Sequence, residues 1–257
     1  NLIENMGGNI NFYNSKDDLN AFRNLLEDGK QWGINIEYAC QEKPEGLAQA
    51  FIIGEKFLNG HPSALILGDN LFHGAQLIGK LKNASIKNSG GTVFAYPVRN
   101  PEDYGIIEFD KLGKVINIEE KPKKPKSRFA ITGLYLYDET VVEKAKTINK
   151  SSRGEYEITS LNNIYLNQNQ LNVEIMGRGM AWLDTGNFDS LQDAGNYIRT
   201  MENRQGLKIG CPEEISWRLG LINDSELKIL GNKYKKSTYG KYILNLLKED
   251  IPNALQN

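Results

Sequence analysis

Two aspartates that follow short apolar runs carry the side chains best suited to phosphoryl or nucleotidyl chemistry. Asp69 follows the apolar run Ala64–Leu67, and Asp184 closes the short run Ala181–Asp184. Ligands of α/β sheets bind beyond the carboxyl ends of strands, although an isolated aspartate there is more often a turn residue or a helix cap. If the two strand ends lie side by side, the carboxylates supply the hard oxygen ligands of Mg²⁺ and leave positions for phosphate oxygens. The metal would offset the charge that develops in phosphoryl or nucleotidyl transfer.

A second group of candidate residues lies where one predicted strand ends and where a predicted hairpin begins. Lys121, just before Pro122, offers a point charge to a phosphate, and Glu120 offers a carboxylate to a sugar hydroxyl. A solvated charged turn explains the same residues, since three further lysines follow within five positions. Tyr104-Gly105 is either a simple bend or a place where the missing side chain lets a ligand approach the backbone.

The polar loop from Gln41 to Ala50 opens a helix. It is either an ordinary strand-to-helix connection or a nucleobase site. In the second interpretation the Gln41 amide pairs with a base edge, while Gly46 and the neighbouring N–H groups approach a flat ring. The sequence contains no P-loop or dinucleotide glycine motif, so those nucleotide-binding modes lose support. For Trp182 and Tyr135, core packing is the default explanation.

Composition and charge exclude several classes of protein. The 257 residues are 40% hydrophobic and carry 31 basic and 32 acidic side chains, so we expect a globular fold without nucleic-acid or membrane partners. The apolar runs are far shorter than the roughly 20 residues that cross a bilayer. Two cysteines and two histidines argue against a disulfide framework, a zinc site or a serine-type triad. A reducing cytoplasm is the expected location.

The pattern along the chain predicts an α/β layered fold. Short β-rich runs alternate with segments of helical period, and Ala64–Leu67 is expected to be a strand buried on both faces. Two alternating runs, 105–109 and 114–119, joined by a turn-prone segment, predict an inserted hairpin. Beyond residue 206 the chain is expected to form a C-terminal helical extension. The predicted division is therefore 1–206 for the α/β domain and 207–257 for the extension.

Seven motifs in order make the chain resemble the glucose-1-phosphate thymidylyltransferases, a family of sugar nucleotidyltransferases. They cover nearly the whole chain and are QEKPEGLAQAF (41–51), LGDNLF (67–72), DYGIIEF (103–109), EEKP (119–122), TGLYLY (132–137), RGEYEIT (153–159) and AWLDTG (181–186). The resemblance implies a Rossmann-like three-layer α/β/α fold. It also implies Mg²⁺-dependent joining of dTTP and α-D-glucose 1-phosphate into dTDP-glucose and pyrophosphate, the first step of dTDP-rhamnose synthesis.

The resemblance also assigns roles to individual residues. It gives the metal to Asp69 and Asp184, the nucleotide to Gln41, Gly46 and Asp69, and catalysis to Asp69, Lys121 and Asp184. It gives the sugar and its phosphate to Tyr104, Gly105, Glu120, Lys121, Ile131 and Gly133. A homotetramer with end-product inhibition at a separate site is a further implication of the resemblance.

One departure from the family pattern is large. Family members begin with a strand and a loop of the type GGxGTRL that holds the triphosphate, and the 257 residues contain no such loop. We therefore expect this sequence to be an N-terminally incomplete representative. Without those donors, pyrophosphate release is expected to be at least about a thousandfold slower.

Two other classes of function remain open. A non-catalytic subunit could bind a sugar nucleotide and assemble with a partner. A metal-dependent glycosyltransferase would place an Asp-x-Asp cluster after a strand, whereas Gly68-Asp69-Asn70 supplies one acid.

Overall fold

The fold is that of an α/β protein built around a mixed sheet. The computed structural model describes residues 9–15, 18–86 and 89–248. Gln41–Tyr197 form one compact unit, and the described residues of Gly8–Cys40 and Ile198–Asn257 form a second. In the described part of the chain, no helix is both long enough and apolar enough to cross a membrane.

The strands supply the frame of both units. They are β1 (Asn9–Asn14), β2 (Asn35–Cys40), β3 (Ser63–Ile66), β4 (Asn70–His73), β5 (Gly91–Pro97), β6 (Gly105–Phe109), β7 (Val115–Glu120), β8 (Phe129–Tyr137), β9 (Leu171–Ile175) and β10 (Ala181–Asp184). Six of them form the main sheet in the order β7-β6-β8-β5-β9, with β3 also paired to β8. The pairing of β5 with β9 is parallel, and the others in this sheet are antiparallel.

Helices complete the two units. The α-helices are α1 (Leu19–Leu26), α2 (Gln49–Ile53), α3 (Glu55–Leu58), α4 (Leu77–Ile86), α5 (Val141–Lys146), α6 (Ile158–Asn167), α7 (Phe188–Gln205), α8 (Pro212–Arg218), α9 (Asp224–Lys233) and α10 (Thr238–Leu246). Short 3₁₀ helices cover Lys30–Trp32 and Pro101–Asp103.

Alternation along β5 produces the three layers. Val93 and Ala95 are fully buried in one core together with Phe51 and Leu161, which lie on α2 and α6. Phe94 points to the opposite face, where it packs in a second core with residues that include Ala84 of α4. Because successive side chains of a strand point to opposite faces, an apolar strand of this kind must be covered on both sides. The predicted three-layer α/β/α fold is confirmed.

The predicted hairpin is present, and one prediction about burial is wrong. Strands β6 and β7 pair antiparallel, and β6 also pairs with β8, so the hairpin extends the main sheet. The run Ala64–Leu67 was expected to be buried on both faces, but Ile66 is 57% exposed. Among the described residues β3 pairs with β8 alone, so this apolar run lies at an edge of the sheet.

The second unit has its own core. Strands β1 and β2 pair in parallel, and Trp32 and Ile36 pack with buried residues of the C-terminal helices such as Leu227 and Ile243. The expected division at residue 206 stays a prediction. In the structure, the C-terminal helices share their core with residues from 9–40, and α7 runs without interruption across residues 197 and 198.

A buried carboxylate fixes the start of β5 against the end of β8. Asp138 accepts hydrogen bonds from the Gly90 N–H at 2.7 Å, from the Tyr165 hydroxyl at 2.9 Å and from both the N–H and the hydroxyl of Thr140. Burial alone would raise the pKa of Asp138, but these hydrogen bonds outweigh it and hold the pKa below the usual 3.8. The ionised form therefore stabilises the fold at neutral pH.

We expect Asp138→Asn to lower the free energy of unfolding by about 1–3 kcal/mol at pH 7, since the amide has a single acceptor oxygen for these donors. A lowered folded pKa stabilises the protein above the unfolded pKa, and this contribution is lost as the pH falls. The difference in melting temperature between the wild type and Asp138→Asn should narrow as the pH falls below 3.8. A difference that stays constant with pH would contradict this assignment.

Candidate active site

Strands β4 and β10 bring the two predicted metal aspartates together. They form a separate antiparallel pair in which Asp184 lies opposite Asn70, so the end of β10 meets the start of β4. The Thr185 N–H and hydroxyl both donate to the Asp69 carbonyl at 2.8 Å. The sequence predicts that Asp69 and Asp184 come together if two strand ends lie side by side. The short strand β4, whose pairing with β10 brings them together, was not predicted.

Gly186 shows how close the two carboxylates are. A Cβ atom built on Gly186 would lie 3.2 Å from Asp184 Oδ1 and 3.8 Å from Asp69 Oδ2. Because both distances start from one point, the two carboxylates border the same small space. The Gly186 N–H also donates to Asp184 Oδ1 at 3.1 Å. A glycine at this position leaves the space between the acids open.

Lys121 and Tyr104 both interact electrostatically with Asp184. Burial raises the pKa of Asp184; the Gly186 hydrogen bond opposes this, the Asp69 charge raises it further, and the Lys121 charge lowers it. The pKa of Tyr104 is raised by burial and then by the charge of Asp184. Asp184 therefore interacts electrostatically with Asp69, Lys121 and Tyr104.

The pair of acids fits a divalent cation that also binds phosphate. Within residues 9–15, 18–86 and 89–248, no cluster of three or more His, Cys, Asp or Glu side chains could hold a metal by itself. Mg²⁺ is commonly held by one or two carboxylates together with waters and substrate phosphates. The Asp69 charge raises the pKa of Asp184, so the two carboxylates are a suitable donor set for such an ion, whose charge would relieve their repulsion.

The hairpin positions the predicted sugar residues next to one another. Gly105 lies opposite Glu120 in the β6–β7 register, and the Lys121 N–H donates to the Tyr104 carbonyl at 3.0 Å. A Cβ on Gly105 would lie 3.2 Å from both Glu120 Oε2 and the hydroxyl of Thr159, which donates to that carboxylate. Four predicted sugar and phosphate residues therefore meet at the open end of this hairpin.

Lys121 and Tyr104 are held in defined conformations. Lys121 has φ of +44°, a left-handed conformation that is rare for residues with a side chain and costs about 1–2 kcal/mol. Strained residues of this kind cluster at functional sites. The ring of Tyr104 packs edge-on against buried Trp182, with 5.2 Å between ring centroids. The default prediction of core packing for Trp182 is correct, and its partner belongs to the candidate site.

Arg153, a residue for which the sequence motifs predict no role, lies beside Glu120. Its guanidinium lies 3.5 Å from Glu120 and 3.8 Å from Glu155, and it bonds Glu157 through Nε at 3.0 Å and Nη2 at 2.7 Å. Burial would raise the pKa of Glu157, but bonds from Arg153 and Ser151 and the charge of Lys121 hold it below its usual range. The signal for Arg153 was its place in the motif RGEYEIT.

The two predicted sugar residues of β8 differ in their surroundings. The Gly133 N–H donates to Asn70 Oδ1 at 2.9 Å, and its carbonyl accepts from the Leu67 N–H at 2.9 Å. Gly133 is thus joined directly to the turn that carries Asp69. Ile131 is buried in the main core and lies opposite Ala95 in the sheet, so its side chain is a core residue.

The predicted base-binding residues Gln41 and Gly46 contact each other. The Gln41 amide donates to the Gly46 carbonyl at 3.1 Å and to the Gln49 side chain at 2.6 Å. Backbone hydrogen bonds join this loop to Tyr156, whose N–H donates to the Glu45 carbonyl at 2.7 Å. The loop is therefore attached to the segment that carries Arg153 and Glu157.

Gly46 is expected to be important for the stability of this loop. It has φ of +101°, and a Cβ there would lie 2.5 Å from the Tyr156 carbonyl oxygen. We expect Gly46→Ala to lower the free energy of unfolding by about 3 kcal/mol, in the upper range for a single substitution. Urea denaturation measures this.

Gly113 provides the matched control for Gly46. It also has a positive φ, of +80°, but among the described residues no atom beyond Gly113 itself and its two chain neighbours lies within 4 Å of its added Cβ. Gly113→Ala should therefore cost only the backbone strain of about 1–2 kcal/mol. Equal losses in the two variants would show that the contact with Tyr156 does not matter.

The fold is that of an α/β protein with a candidate site at Asp69 and Asp184, and comparisons with known proteins identify its family. The nucleotidyl transferase model matches residues 6–201. The chain belongs to the nucleotidyl transferase family, and it is a nucleotidyltransferase.

Curated relatives agree with this assignment. The chain is 54% identical over 230 residues to the glucose-1-phosphate thymidylyltransferase of Mycolicibacterium smegmatis, covering 90% of this chain and 80% of the relative. It is 51% identical over 233 residues to the enzyme of the same name from Mycobacterium tuberculosis, covering 91% of this chain and 81% of the relative. The resemblance inferred from the motifs is confirmed.

Solved structures share the fold. A 2.76 Å crystal structure described as a glucose-1-phosphate thymidylyltransferase from Bacillus anthracis, in complex with sucrose, aligns with a TM-score of 0.71 and 33% identity. The alignment covers 82% of each chain. A UDP-glucose pyrophosphorylase complexed with UDP-glucose shares the fold at a TM-score of 0.57 and 22% identity, covering 74% of this chain and 75% of that one.

Proposed function

We propose that this protein transfers a thymidylyl group from dTTP to α-D-glucose 1-phosphate, which yields dTDP-glucose and pyrophosphate. Similarity to relatives named for this reaction supports the choice of substrates. We further propose that the reaction is the first step of dTDP-rhamnose synthesis, and that a cytoplasmic homotetramer performs it with Mg²⁺.

The observation that carries the proposal is the arrangement around Asp69 and Asp184. Their carboxylates border the space beside Gly186, and Lys121 is close enough to lower the pKa of Asp184. Lys121 also hydrogen bonds the backbone of Tyr104, which precedes Gly105 at the open end of the hairpin. Acids for a metal, a cation for a phosphate and groups for a sugar thus lie in one region.

The reaction is an in-line displacement. A phosphate oxygen of the sugar phosphate attacks the α-phosphorus of dTTP, the new O–P bond forms, and the bond to the pyrophosphate oxygen breaks. No covalent enzyme intermediate is needed, so the protein acts mainly by alignment and charge neutralisation. Bound between Asp69 and Asp184, Mg²⁺ would supply positive charge for the phosphate oxygens.

The side chains of this protein have distinct tasks in that displacement. Lys121 binds the phosphate of the sugar phosphate as a point charge. Glu120, held by Thr159 and Arg153, accepts hydrogen bonds from sugar hydroxyls, and the missing side chain of Gly105 leaves room for Glu120 and Thr159 beside it. Gln41 and Gly46 bind thymine, and Gly133 limits the sugar pocket at the end nearest Asp69.

Pyrophosphate release tests the proposal. The purified native protein is incubated with dTTP, α-D-glucose 1-phosphate and Mg²⁺, and pyrophosphate is measured with a coupled assay. We expect turnover with this pair, a much lower rate with galactose 1-phosphate, and no turnover when EDTA removes the metal.

Calorimetry separates the alternatives. Tight binding of dTDP-glucose without turnover under any of these conditions would favour the non-catalytic subunit instead. Turnover with a nucleotide sugar donor and a sugar acceptor, without pyrophosphate release, would favour a glycosyltransferase.

A further inference from the structure

Asn70 is joined to three parts of the candidate site at once. Its amide nitrogen donates to Asp69 Oδ1 at 2.8 Å. Its amide oxygen accepts from the Gly133 N–H at 2.9 Å and from the Trp182 indole N–H at 2.6 Å. One half-buried side chain therefore connects a proposed metal ligand, the sugar side of β8 and the residue that supports Tyr104.

These contacts fix the orientation of the amide. The N–H groups of Gly133 and Trp182 can only donate, so the side-chain atom that faces them must be the oxygen. The nitrogen is then directed at Asp69, whose carboxylate can only accept when ionised. Among side chains of this size, asparagine alone offers an acceptor to two donors and a donor to a carboxylate.

Packing leaves the amide little freedom to move. A Cβ on Gly133 would lie 2.5 Å from Asn70 Oδ1 and 2.6 Å from its Cγ, so the amide fills the space that the missing side chain leaves. In addition, Asn70 is the first residue of β4 and lies opposite Asp184 in the strand register. Backbone pairing and side-chain contacts thus hold Asn70 from several directions.

We propose that Asn70 is a positioning residue, which holds the Asp69 carboxylate in the orientation that binds the divalent cation and sets its place relative to Gly133. The inference rests on the proposed function, because it assigns a role toward the proposed metal. Both acceptor positions of the amide oxygen are used within the protein, so the oxygen of Asn70 acts through Asp69, Gly133 and Trp182.

Mn²⁺ binding followed by electron paramagnetic resonance tests the inference without turnover. In Asn70→Ala the half-saturating Mn²⁺ concentration should rise about tenfold or more, the usual effect of losing a hydrogen bond to a metal ligand. Asn83→Ala, at an exposed position of α4, is the control and should stay within about twofold of the wild type. Excess Mg²⁺ should restore much of the rate of Asn70→Ala.

Two results would overturn the inference. If Asn70→Ala binds Mn²⁺ as the wild type does but has a raised KM for glucose 1-phosphate, Asn70 contacts the sugar instead. If its melting temperature falls while Mn²⁺ binding to the folded protein is unchanged, its role is only structural.

Asn70→Asp keeps the inference testable if the alanine variant does not fold. It retains an acceptor for Gly133 and Trp182 but replaces the donor that faces Asp69 with a negative charge. We expect kcat to fall at least about tenfold with little change in KM for glucose 1-phosphate. An unchanged kcat would overturn the inference. A wild-type protein without pyrophosphate release would instead overturn the proposed function, and the inference with it.

Discussion

Asp184→Asn is expected to lower kcat/KM for pyrophosphate release by about a thousandfold, because it removes one of the two carboxylates that we propose hold the metal. The metal stabilises the transition state by several kcal/mol, and about 4 kcal/mol corresponds to this factor. Steady-state assays with dTTP and glucose 1-phosphate measure the loss.

The stability of Asp184→Asn, unlike its activity, should not fall. Burial and the Asp69 charge raise the folded pKa of Asp184, so its ionised form destabilises the fold at pH values above the unfolded pKa. The neutral amide removes this repulsion and keeps an acceptor for the Gly186 N–H. The melting temperature at pH 7 should therefore stay equal or rise, which separates loss of chemistry from loss of fold.

Asp189 is the matched control for Asp184. It is an exposed aspartate in the first turn of α7, five residues further along the chain. Asp189→Asn changes the net charge by the same amount and should leave kcat/KM within about twofold, as is usual for surface substitutions. Similar losses in both variants would show that general charge, and not metal binding, explains the effect.

Lys121→Met is expected to lower kcat/KM by about a hundredfold to a thousandfold, in the range measured for the loss of one transition-state donor. Methionine keeps an unbranched side chain of similar length but removes the charge that we assign to the sugar phosphate. Part of the loss should appear as a raised KM for glucose 1-phosphate, with little change in KM for dTTP. Initial rates at varied concentrations of each substrate distinguish the two.

Lys123 is the control for Lys121. It lies two residues later, is exposed, and belongs to the run of lysines that a solvated turn would explain equally well. Lys123→Met should leave both KM values unchanged. If the two variants lose activity equally, the charged-turn interpretation of this segment is correct and the phosphate role of Lys121 is wrong.

Local features of the fold were predictable because their signals lie close together in the sequence. The β6–β7 hairpin follows from two alternating runs around Asp110, whose carboxylate accepts hydrogen bonds from the N–H groups of Leu112 and Lys114 in the turn. The strand Ala181–Asp184 has the predicted bounds. In both cases short-range patterns contain enough information to define the element.

Long-range features were not predictable from the same patterns. Strand β4 has four residues, and its partner β10 lies more than a hundred residues later in the chain. The first residue of β4, Asn70, belongs to the segment Gly68-Asp69-Asn70, which has the composition of a turn. Similarly, an apolar run such as Ala64–Leu67 gives no indication of whether a strand lies inside a sheet or at its edge, and Ile66 is exposed.

Some residues of the candidate site could be selected from the sequence, and others depend on contacts between distant segments. Asp69, Asp184, Glu120 and Lys121 were predictable from residue type and position, because acids and cations at strand ends are the groups that phosphate chemistry needs. Arg153 was not assigned because its place beside Glu120 depends on the fold of a segment more than thirty residues away. The contacts of Asn70 depend on side-chain geometry that no spacing contains.

The most direct test of the account is a crystal structure of the protein with dTDP-glucose and Mn²⁺, in which anomalous scattering locates the metal. We predict one peak within about 2.5 Å of a carboxylate oxygen of both Asp69 and Asp184, the distance range of oxygen ligands to such cations. The hexose should lie against Gly105 and Glu120, with its phosphate at Lys121. A metal bound elsewhere, or a nucleotide sugar far from these residues, would contradict the account.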